Sequence, residues 1–129
     1  MTRYLLDTQP FLWWLREDPM LGEKTSGIIA DADNEIYVSA VSLWEMSIKK
    51  GIGKLKLPNL SMSEVVVSQG FLPLPIDFVH AEKAGVLPKH HRDPFDRMLV
   101  AQAQIEGLIL ITKDERIFQC ELKLLNALD

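Results

Sequence analysis

Cysteine is all but missing from this chain. Cys120 is the single thiol in 129 residues, which excludes an internal disulfide, a CxxC redox pair and a cysteine-built zinc site. A reducing, cytoplasmic setting suits such a chain. Long apolar runs are also lacking. Nothing approaches the roughly 18 consecutive apolar residues that cross a bilayer. The opening MTRYLLDTQPFLWWL has no uninterrupted apolar core before a small-residue cleavage site, so neither a membrane span nor a leader is expected. The first strand is followed by no glycine-rich turn of the kind that dinucleotide and P-loop enzymes need. Positive charge is outnumbered, with 14 Lys and Arg against 18 Asp and Glu for a net −4. That balance gives no global attraction to nucleic acid or anionic membrane, so any such contact has to come from a local basic patch or a bound cation.

What remains is an ordinary globular composition, 47% hydrophobic and 25% charged, without repeats, low-complexity tracts or linkers. Residues 1–129 are expected to form one domain, large enough to bury roughly two thirds of the surface its unfolded chain exposes. Arg3 to Leu6 predicts a strand ending at Asp7. Pro10 suits the first turn of a helix that stops near Asp18-Pro19, and Gly22 to Asp33 predicts a second helix. Glu35 to Val41 is a strand by its β-branched and aromatic content. Helices are expected over Ser42 to Lys50 and Ser63 to Gln69. Leu72 to Ile76 is a strand whose prolines put it at an edge, and Asp77 to Ala84 a short helix. Asp93-Pro94 opens a longer helix closed by Gly107. Leu108 to Thr112 is an apolar strand, and Leu122 to Asn126 a last one. Strands alternating with helices predict an α/β fold, a mainly parallel sheet covered on both faces.

The acids next to strand ends carry the chemistry. Asp7 follows the first strand, Glu45 and Asp96 are each expected in the first turn of a helix, and Asp114 comes two residues after LILIT. In an open parallel sheet all strand C-termini share one edge, where ligands bind. Clustered carboxylates raise one another's pKa values, and a hard divalent cation such as Mg²⁺ or Mn²⁺ removes that cost while suiting phosphate chemistry. Each acid also has a plainer explanation. Ser42-x-x-Glu45 reads as a capping box, Asp93 and Asp96 as parts of a helix start, and Thr112 or Asp114 as the cap of a short helix through Arg116 and Phe118. Asp7 is the hardest to dismiss, because an acid ending a buried strand needs a partner.

Leu5-Leu6-Asp7-Thr8 and Val38 through Glu45 resemble the first two acidic motifs of PIN domains. His91 through Ala103, with Asp93-Pro94-Phe95-Asp96-Arg97 at its centre, is similar to the third in a form found among VapC-like toxins, and Leu110 through Asp114 to the fourth. The motifs come in family order across nearly the whole chain. The resemblance implies a three-layer α/β/α PIN-like domain and a metal-dependent endoribonuclease, the toxin of a toxin–antitoxin pair. Asp7, Glu45, Asp96 and Asp114 are carried over as catalytic and metal-holding residues for Mg²⁺ or Mn²⁺, with Thr8, Ser42, Asp93 and Thr112 in support. The implied partners are RNA, a small antitoxin laid over the first helices, and a second copy of the chain. An exposed member of Trp13 and Trp14 would suit the antitoxin. Arg92, Arg97 and Lys113 are candidate phosphate contacts, with Arg116 nearby and Lys49 and Lys50 further out. His90 and His91 are open to an RNA contact or an ordinary loop role, and His80 to a structural role or an exposed position.

Two other readings stay open. A receiver-like Mg²⁺-binding phosphoacceptor module would want paired acids after the first strand, where Asp7-Thr8 offers one, and an aspartate after the third. A non-catalytic interaction domain would show no divalent-ion affinity.

Overall fold

A computed structural model describes residues 1–88, 93–114, 117 and 122–129. Strand β1 (Arg3–Leu6) passes into helix α1 (Thr8–Arg16) without a loop. The hinge is Asp7, whose backbone N–H still bonds the Ile111 carbonyl at 3.0 Å while its side chain caps the helix on the Thr8 N–H. Pro10 falls in the first turn, where a missing N–H costs nothing. Helix α2 (Glu23–Ala30) ends three residues before the predicted Asp33, because the Asp31 carboxylate bonds the Asp33 N–H and turns the chain.

Strand β2 (Glu35–Ser39) gives way directly to α3 (Ala40–Gly51). This helix starts two residues earlier than predicted. Ser39, not Ser42, is the N-cap, its hydroxyl accepting from the Val41 N–H at 3.0 Å. The expected Ser42–Glu45 capping box is therefore not formed, and Glu45 lies in the second turn. Helix α4 (Met62–Ser68), strand β3 (Leu72–Leu74), α5 (Phe78–Val86), α6 (Pro94–Glu106), β4 (Ile109–Thr112) and β5 (Leu124–Asn126) follow. Asp93 caps α6 on the Phe95 and Asp96 N–H groups, Pro94 takes its first position, and Gly107 ends it in the left-handed conformation at φ 68°. All three were readable from residue type.

The strands form one sheet in the order β3-β2-β1-β4-β5, and every pairing is parallel. The prolines did mark β3 as an edge. Strand order departs from the 2-1-3-4-5 pattern of receiver-like folds, which removes that alternative. Alternate residues of each strand serve opposite faces. Leu6, Val38 and Ile111 pack with Phe11, Trp13, Ile29 and Val66 beneath α1, α2 and α4, while Leu5, Leu110 and Leu74 pack with Leu99, Val100 and Ala103 of α6. The result is the three-layer arrangement. The chain runs outward from β1 to β3, then crosses back to place β4 on the other side of β1, so the switch point where ligands bind lies between β1 and β4. No helix among the described residues is long and apolar enough to cross a membrane.

Candidate metal centre

Asp7 leaves β1 at this switch point and is almost fully buried. One of its oxygens accepts from the Thr8 N–H at 2.7 Å and the other from the Thr112 hydroxyl at 2.8 Å. These bonds favour the anion, yet burial outweighs them and, with the charges of Glu45 and Asp114, pushes the Asp7 pKa up to about 6. Thr112 ends β4, and its hydroxyl also accepts the Asp114 N–H at 3.1 Å. A single threonine thus ties the acids of two neighbouring strands together.

Glu45 reaches the same crevice from α3. Its Oε1 accepts the Thr8 hydroxyl at 2.7 Å, and its Oε2 lies 2.7 Å from the Lys49 ammonium one turn further on. The Glu45 side chain is only 8% exposed, whereas Lys49 is 46% exposed. The Lys49 pKa is raised, first by its bond to Glu45 and further by the charges of Glu45, Asp93 and Asp96.

Asp96 enters from the first turn of α6 and is buried. Burial raises its pKa most, and the charges of Asp7, Asp93, Asp114 and Glu45 add to it, up to about 9. Four acids from four elements therefore act electrostatically on one carboxyl. Asp114 is half-buried after β4. The acids offer carboxylate oxygens, a kind of donor that suits a hard divalent ion, and the Asp7 and Asp96 pKa values are raised by burial and by the neighbouring negative charges.

The supporting residues divide. Thr8 bonds Glu45 and Thr112 bonds Asp7. Asp93 caps α6 and adds its charge to the field on Asp96. Ser42 is fully buried, and its hydroxyl has no hydrogen-bond partner among the described residues. Of the cations, Arg97 packs against the end of α5. Its guanidinium bonds the Ala84, Leu87 and Pro88 carbonyls at the end of α5. Lys113 is exposed, with its ammonium 5.8 Å from the centre of the Trp13 ring. Arg92, Arg116, His90, His91 and Cys120 lie outside the described residues, as does most of the short helix expected through Phe118.

Sequence reasoning missed two features. The i,i+4 spacing of Glu45 and Lys49 signals their ion pair, but Lys49 was expected further out. Asp77, His80 and Glu106 also bring potential ligand atoms within 4.8 Å of one another. His80 is buried there with both ring nitrogens in use, Nδ1 accepting from the Asp77 N–H and Nε2 at 2.8 Å from Glu106. That trio closes a capping box and pins α5 to α6, a structural role.

Trp13 is buried in the core below α1. Trp14 is half-buried, its Nε1 bonded to Gln69. Both line a groove of about 470 Å³ with Leu15, Pro19 and Leu21. Trp44 is 59% exposed beside Glu45, edge-on to Phe95 at 5.3 Å.

Residues 4–121 match the family described as PIN domain. The chain is 32% identical over 123 residues to Ribonuclease VapC22 of Mycobacterium tuberculosis, an alignment covering 91% of each chain. Among solved structures, VapBC2 from Rickettsia felis bound to a promoter DNA fragment superposes with TM-score 0.71 at 19% identity, over 97% of this chain and 98% of that one. A toxin–antitoxin complex from Klebsiella pneumoniae superposes with TM-score 0.63 at 20% identity, over 96% and 97%. These two likenesses speak to the fold.

Proposed function

The chain belongs to the PIN-domain family, and from that premise we propose that it is a metal-dependent endoribonuclease, the toxin of a toxin–antitoxin pair. Residues 1–129 are taken as one PIN domain, with Asp7, Glu45, Asp96 and Asp114 as its catalytic, cation-holding acids. The observation that supports this reading is the burial of Asp7, Glu45 and Asp96 at the β1–β4 switch point, with Thr112 bonded to Asp7 and Thr8 to Glu45.

A Mg²⁺ or Mn²⁺ ion held there supplies an activated water and positive charge for a phosphodiester. The protein's own part is to hold the oxygens still. Thr112 fixes the Asp7 carboxylate, Thr8 fixes Glu45, and the capped start of α6 fixes Asp96. Asp7 and Asp96 would serve as ligands in their ionised form, and Asp96, whose carboxyl burial and neighbouring acids push up to about 9, would give up its proton to do so. Water serves as the nucleophile, so the expected products carry 5′-phosphate and 3′-hydroxyl ends, and the RNA 2′-hydroxyl takes no part.

The groove beside Trp14 is the proposed seat of an antitoxin segment, and the 32% identical relative named as a ribonuclease supports the RNA substrate. A homodimer is proposed from the family resemblance. The test of the enzymatic reading is cleavage of RNA by repurified Asp7→Asn and Asp96→Asn proteins. Activity is expected to vanish in both while circular dichroism keeps its native shape, and full activity in Asp7→Asn defeats the assignment.

A further inference from the structure

Both carboxylate oxygens of Glu45 have a side-chain partner, Thr8 on one and Lys49 on the other. The pair with Lys49 differs from an ordinary i,i+4 surface pair, because the acid is buried and the ammonium reaches in from solvent. A divalent ion held by Glu45 would compete with the Lys49 ammonium, which is 2.7 Å from Oε2, for the same carboxylate. Two such charges repel, and the doubly charged ion holds the carboxylates more strongly than the ammonium does. The lysine has somewhere to go, since its four-carbon stem is flexible and half in water.

We propose that Lys49 is a tethered counter-ion of the acidic site, displaced from Glu45 by the divalent cation and thereby freed to meet the phosphate of the RNA. This rests on the cation-site reading above. In a chain with net charge −4, it gives the crevice a cation that can turn toward the substrate. Lys49 thereby lowers cation affinity when RNA is absent and raises RNA affinity when the cation is bound.

The experiment is calorimetric titration of Mn²⁺ into RNA-free protein at low ionic strength, comparing wild type with Lys49→Met, Lys49→Arg and Lys50→Met. Lys50 is the exposed neighbour at the same helix end, so its variant removes an equal charge without touching Glu45. The expected result is Mn²⁺ binding tightened about tenfold in Lys49→Met and less than about twofold in Lys50→Met, with Lys49→Arg close to wild type. In cleavage assays at saturating Mn²⁺, Lys49→Met raises KM more than it lowers kcat. Equal tightening in the two methionine variants overturns the proposal, as does weakened Mn²⁺ binding in Lys49→Met, which makes Lys49 a support for Glu45. A wild-type protein that binds no Mn²⁺ overturns instead the cation site on which the proposal stands.

Discussion

Thr112 does two jobs with one hydroxyl, donating to Asp7 and accepting from the backbone of Asp114. Thr112→Val keeps the shape and removes both bonds, leaving buried polar groups unmet. The expected cost is about 1–3 kcal/mol in urea denaturation, together with a further rise of the Asp7 pKa, because a bond that favours its anion is gone. Thr112→Ser restores both. A valine variant with wild-type stability and an unchanged pH profile would show that the hydroxyl is idle. Residue type made this threonine suspect from the outset. Its partner could not be read, since strand adjacency has to be known before Asp7 can be assigned to it.

At the scale of elements, caps were legible where one residue type dominates a position, as with Asp93, Pro94 and Gly107 around α6. They were not legible where two serines compete. Ser39 and Ser42 each fit the start of α3, and the bond from the Val41 N–H to the Ser39 hydroxyl decides for the first. Arg97 shows the same limit. Its charge beside an acidic motif suggested a phosphate contact, whereas the side chain turns back to the last carbonyls of α5, where a cation complements the helix dipole. Arg97→Met is expected to destabilise the protein by about 2 kcal/mol, measured by chemical denaturation, since several charge-assisted bonds disappear. An intact stability with a raised KM for RNA would return Arg97 to the substrate.

For the whole molecule, the parallel sheet was readable, and with it the convergence of distant acids on one edge. The order of its strands was not, because apolar strands such as β1 and β4 carry no mark of who their neighbours are. The acidic edge has a consequence for stability. Asp7 and Asp96 have folded pKa values of about 6 and about 9, above the roughly 4 of an unfolded aspartate. The folded state therefore binds these protons more tightly. Their contribution is fully present below about pH 4 and is lost as pH rises, through about 6 for Asp7 and about 9 for Asp96. Cation-free protein is expected to show a Tm that declines across this window, and added Mn²⁺ to restore it at the alkaline end, as read by scanning calorimetry. A flat Tm in chelator would contradict the burial of these carboxyls.

The pairing of β1 with β4 joins residues about a hundred positions apart, Leu6 to Ile111. Long-range parallel contacts raise contact order and place loop closure before its reward, so this chain belongs among slow-folding topologies. A nascent chain that has emerged only as far as α6 holds three of the acids and can pair β2 with β1, but it lacks β4, the neighbour on the other side that leads to the fourth acid. Nucleolytic competence is thus expected to appear late and all at once in refolding, on the timescale of the final sheet closure.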